Sequence, residues 1–63
     1  MTVYIIRERR KIQVYEVTPD LEAAFLAEKK RMILASGATL DEAVSRLGRL
    51  TDRLEILDEL SRE

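Results

Sequence analysis
The sequence predicts a small α+β domain, a β-hairpin followed by a helical hairpin (ββαα), assembled as a dimer. Three observations carry this reading. β-Branched and aromatic residues crowd the first 17 positions. Thr18-Pro19-Asp20 and the Thr39-Leu40-Asp41-Glu42 capping box each open a helix. A leucine heptad then extends further than so short a chain can cover by itself.

The first strand is expected over residues 2–7, on Val3-Tyr4-Ile5-Ile6, and the second over 11–17, on Ile12 to Val17. Between them Arg7-Glu8-Arg9-Arg10-Lys11 is polar throughout. A three-residue loop at 8–10 sets Ile6 against Ile12 and Tyr4 against Val14, giving one continuous apolar face. Arg7, Lys11 and Gln13 then share the other face with Val3, Ile5 and Tyr15. The turn lacks Gly, Asn and Asp, the residues that accept a positive φ. One long strand pairing with a second chain is the alternative.

A first helix is expected over 19–36. Thr18 caps it, Pro19 suits its first position, and Asp20 complements the positive helix end. Leu21, Ala24, Phe25, Ala27, Met32 and Ala35 form a broad apolar stripe, and Gly37 supplies the left-handed residue that ends the helix. A second helix is expected over 40–61. Leu40, Leu47 and Leu54 occupy one seam position, and Ala43, Leu50 and Leu57 the other. Val44, Ile56 and Leu60 widen that face. Gly48 lies on its polar side and costs about 1 kcal/mol against Ala, either as a tolerated surface residue or to admit another backbone.

Length allows a single domain over 1–63. A chain this short hides only roughly 60% of its unfolded surface and usually needs a disulfide, a metal or a partner chain. With no Cys and no His, disulfides, thiolate sites, imidazole ligation and histidine bases are excluded. A second copy is the helper that remains, with Leu47, Leu50, Leu54 and Leu57 as its expected interface. The 46% apolar fraction is too high for a disordered tail, and no apolar run is long enough to span a membrane. No secretory pattern follows residues 1–6, so a cytoplasmic setting is expected.

Catalytic chemistry finds little to use. The two Gly lie eleven residues apart, so no phosphate-binding loop exists. Ser36, Ser45, Ser61, Thr2, Thr18, Thr39 and Thr51 have no histidine to activate them. Asp52, Glu55, Asp58, Glu59 and Glu63 could hold a hard cation, but they also read as the solvated side of a leucine seam. The expectation is no enzyme, no cofactor and no metal.

Charge is uneven within a net −1. Residues 1–35 carry seven basic and five acidic groups, and residues 36–63 four basic and seven acidic. The basic groups concentrate at 7–11 and 29–31. A hairpin tip with Arg7, Arg9, Arg10 and Lys11 can meet an acidic partner or phosphates, or can simply keep a sheet edge soluble.

Residues 11–47 resemble the ribbon-helix-helix DNA-binding family. Lys11-Ile12-Gln13-Val14-Tyr15 looks like its strand, Thr18-Pro19-Asp20-Leu21 like the entry to its first helix, and Gly37 to Val44 like its inter-helix turn. The resemblance implies a two-stranded ribbon with Lys11, Gln13 and Tyr15 facing the major groove and a phosphate at the amide end near Thr39. The extra strand ahead of the ribbon, the long helices and the net negative charge depart from that pattern. The preferred expectation is therefore a non-enzymatic homodimer, a small regulatory or assembly module that binds protein. A ribbon-helix-helix-like DNA-binding transcriptional regulator is the alternative.

Overall fold
The computed structural model describes residues 1–62. It is a small α+β fold. Strands β1 (Thr2–Glu8) and β2 (Lys11–Val17) are followed by helix α1 (Pro19–Lys29), a 3-10 turn (Lys30–Met32) and strand β3 (Ile33–Gly37). Helices α2 (Leu40–Ser45) and α3 (Leu50–Ser61) complete the chain. The sheet order is β2-β1-β3, with β1 antiparallel to both neighbours.

β1 occupies the centre because every position of Val3-Tyr4-Ile5-Ile6 is buried. Alternate side chains point to opposite faces, so an unbroken apolar run requires cover on both sides. On one face Val3, Ile5, Ile12 and Ala35 pack with Ala43, Leu47 and Ile56 from α2, α3 and their connection. On the other, Tyr4, Ile6 and Val17 pack with Tyr15, Phe25, Leu26 and Met32, beneath α1.

The hairpin forms within one chain, with a different register from the expected one. Its turn has two residues, so Tyr4 faces Tyr15, Ile6 faces Gln13 and Arg7 faces Ile12. Arg9 and Arg10 make this turn with φ of 54° and 67°. Positive φ at both central residues matches the right-handed strand twist, and here two arginines adopt it. The shift by one residue puts Ile12 and Val14 on the face of Val3, Ile5 and Arg7, and Lys11, Gln13 and Tyr15 on the face of Tyr4 and Ile6. The single apolar face anticipated for this hairpin is replaced by two.

The helix expected over 19–36 stops at Lys29, and its last part becomes β3. Met32-Ile33-Leu34-Ala35 is too short an apolar run for periodicity to separate helix from strand. The free edge of β1 decides, since a buried strand must satisfy its backbone donors and acceptors on both sides. Of the anticipated stripe, Phe25 and Met32 pack beneath α1, Ala35 is buried in β3, and Leu21, Ala24 and Ala27 are exposed. Gly37 ends β3 and has no positive φ. A Cβ there would meet the Ala43 backbone nitrogen at 2.9 Å, so glycine admits the first turn of α2.

The helix expected over 40–61 is broken at residues 46–49. Gly48 lies in the break with open space where a side chain would be, so no backbone approaches it. Arg53 closes the joint, donating from Nε to the Leu47 carbonyl and from Nη2 to the Ser45 carbonyl, each at 3.0 Å. A cation at the last carbonyls of α2 is favourable for that helix end.

Candidate interaction surfaces
The break rotates the leucine seam. Ala43 and Leu47 point into the core, while Leu50, Leu54 and Leu57 point away from it, being 69%, 59% and 54% exposed. Leu47 is 1% exposed within its own chain, so it is a core residue and leaves the expected dimer interface. Ile56 and Leu60 provide the inward face of α3 instead.

Polar contacts also form on that face. Arg7 lies on the same parity of β1 as Val3 and Ile5, directed at α3. Its Nη2 donates to Asp52 Oδ1 and Glu55 Oε1, both at 2.8 Å, and Nη1 to Glu55 Oε2 at 3.3 Å. The hydrogen bonds from Arg7 lower the Glu55 carboxyl below its ordinary range. Donating to Glu55 and Asp52 holds the guanidinium more firmly protonated. Asp52 and Glu55 share a helix face with Ile56, so seating Ile56 in the core delivers both carboxylates to Arg7. Their role as an anchor was not anticipated. The available signal was an acidic pair on a core-facing side, which requires a cation from the sheet.

The tip residues separate into two groups. Arg7 is committed to α3. Glu8 accepts from Lys29 of α1, which lowers the Glu8 carboxyl and raises the Lys29 amine. Arg9, Arg10 and Lys11 are exposed and have no ion-pair partner among the described residues. Gln13 and Tyr15 are half-buried, with the Tyr15 hydroxyl 2.9 Å from Gln13 Oε1 and 3.2 Å from Glu8 Oε1. The Tyr15 ring lies 5.5 Å from that of Phe25, which ties it to α1. Thr39 caps α2 by accepting from the Glu42 amide at 3.2 Å. Glu42 turns its carboxylate to Arg46 at 2.7 Å instead of back to the Thr39 amide, so only the Thr39 half of the capping box forms.

A groove of about 400 Å³ runs between β2 and α3, lined by Ile12, Val14, Leu40, Ile56 and Leu60 with Glu16 and Glu59. Among the described residues no group of three or more Asp and Glu is arranged to hold a metal ion, and no helix is long and apolar enough to cross a membrane. Glu63 of the acidic cluster lies outside the described residues. The chain matches no protein-family model, no curated protein and no solved structure.

Proposed function
We propose that this protein is a non-enzymatic homodimeric interaction module whose self-association surface is the outer face of α3. The observation that carries the reading is the stripe Leu50, Leu54, Leu57. These residues lie at i, i+4 and i+7, and all three are more than half exposed although a packed core was within reach. A second copy is the favoured occupant, because two-fold pairing covers both stripes at once. Charge along the helix sets the direction. Arg49 precedes the stripe and Asp58, which meets Arg62 of its own helix at 2.9 Å, lies beside its end, so an antiparallel copy brings Arg49 to share the partner's Asp58 and opposes the two helix dipoles.

A protein ligand is favoured over nucleic acid by the basic residues. Arg7 sits against Asp52 and Glu55, and Lys29 against Glu8, which leaves three exposed cations at the tip beside an acidic helix. A long polyanion following the tip would meet α3 carboxylates.

Sedimentation equilibrium from micromolar to millimolar concentration tests the reading. Wild type should dimerise, and Leu54→Arg should weaken association at least tenfold while the fold is retained. Arg49→Glu and Asp58→Arg should each weaken it, and the double variant should recover. A monomer across the whole range overturns the reading. Salt-sensitive binding to duplex DNA would favour the ribbon-helix-helix alternative.

A further inference from the structure
The groove beside β2 has a property independent of the outer face of α3: it opens onto an unpaired strand edge. β2 is outermost in the sheet, so only its β1 side is paired. The two-residue turn is closed by Glu8 opposite Lys11. Ladder bonds alternate from that pair, so Lys11, Gln13, Tyr15 and Val17 bond toward β1. The amides and carbonyls of Ile12, Val14 and Glu16 consequently point outward. The Ile12 amide, on this side of the strand, contributes to lowering the Glu55 carboxyl after the larger effect of Arg7. Val14 and Glu16 keep an outward donor and acceptor each, with no partner among the described residues. Gln13 also lines the groove although its side chain lies on the opposite face, so the groove reaches the backbone of the edge.

We propose that this edge and groove bind an extended peptide segment of another protein by strand addition. The segment would bond to the Val14 and Glu16 backbone and lay alternate side chains into the groove. The floor, formed by Ile12, Val14, Ile56 and Leu60, takes apolar side chains. Glu16 and Glu59 at the rim select Lys or Arg on the same face of the peptide, two residues from an apolar position. Glu16 is exposed and has no ion-pair partner among the described residues, whereas Glu59 keeps a long, exposed contact with Arg62 at 3.7 Å that a peptide cation would have to displace. No proline or bulge blocks β2, and the strand keeps seven residues of regular register, unlike β3, where pairing slips between Ile5 and Ile6. A nucleic acid does not fit, because the rim is acidic and the floor apolar.

The test uses the full chain and two synthetic seven-residue alternating peptides. In one, Val and Lys share a face with Thr on the other. In the second, Glu replaces Lys. Wild type should bind the Lys peptide at least tenfold tighter than the Glu peptide, and hydrogen exchange of the Val14 and Glu16 amides should slow on binding. The Glu16→Lys/Glu59→Lys variant should reverse the preference. Methylating the Lys peptide's bonding-edge nitrogens should abolish its binding to wild type, a readout that needs no variant to fold. Unchanged exchange at Val14 and Glu16 in millimolar Lys peptide overturns the proposal, as does a preference that survives charge reversal. Protection of these amides that grows with protein concentration alone also overturns it, since a second copy then occupies the edge.

Discussion
The two long helices cover opposite faces of one sheet by different means. α1 buries none of its residues deeply, whereas α3 sinks Ile56 to 1% exposure. α1 is held by side chains at its margins. Tyr4 stacks on Phe25 with ring centroids 4.8 Å apart and donates its hydroxyl to Glu22 at 2.6 Å, while Lys29 reaches Glu8. α3 is held by an apolar plug, the deeply buried Ile56 with Leu60 packed beside it, by Arg7, and by Arg53 at its first turn. Their outer faces also differ. That of α1 mixes short alanines and charges around Leu21, whereas that of α3 carries three leucines in line. A helix can thus be well attached and still present a stripe of leucines to the outside.

The largest expected effect tests the plug. Ile56→Ala should cost about 2–5 kcal/mol, as for a fully buried aliphatic side chain. Phe25→Leu keeps an apolar contact and loses ring stacking, so about 1 kcal/mol is expected. Urea denaturation of both variants checks the order, and a reversed order would make α1 the principal cover.

A smaller gain is expected at the hairpin turn, which neither helix needs. Replacing Arg9 and Arg10 by Asn and Gly should stabilise the protein by about 1–2 kcal/mol, because the left-handed conformation then suits its residues. Equal gains in wild type and in Ile56→Ala would show that the turn is independent of the helices. No gain would mean that the two arginines adopt this conformation without strain.

Smaller again, pH should separate the helices. Glu8, Glu22 and Glu55 all have carboxyls lowered by their partners. Their stabilisation is present above the ordinary carboxylate range and is lost as pH falls through the folded values, loosening both faces in acid. At high pH only α1 is affected. The hydrogen bond to Glu22 raises the Tyr4 hydroxyl and contact with Glu8 raises the Lys29 amine, so both contributions hold below about pH 10 and fade above it. Arg7 stays charged and keeps α3 in place. Exchange measured between pH 9 and 12, corrected for intrinsic rate, should show α1 losing protection before α3. Simultaneous loss would break the contrast.

The smallest folding effect belongs to Leu54. At concentrations where the protein is monomeric, Leu54→Ala should change stability by no more than about 0.5 kcal/mol, as at other exposed sites. A loss approaching that of Ile56→Ala would mean that the two sides of α3 contribute alike.

The sequence by itself determined the local starts, turns and apolar runs. Pro19 at the first helical position, Thr39 capping α2, and the two hairpin strands follow from local backbone chemistry and β-propensity, which act over a few neighbouring residues, although Thr18 makes no side-chain cap bond to α1, contrary to the expectation. It also placed Arg9, Arg10 and Lys11 outside, since unpaired charges are costly to bury. Only tertiary structure decided the rest. Met32 to Ala35 became a strand because β1 needed a second backbone partner. The hairpin register followed burial of both sheet faces, which no one-face periodicity can express. The heptad of 40–57 is intact as a pattern, yet across the bend at 46–49 half of it faces outward, with Asp52 and Glu55 meeting Arg7 on the inward side. Helical periodicity records which residues share a side. Which side meets the core depends on tertiary contacts with residues distant in the chain, Arg7 lying 45 or more residues from its partners on α3.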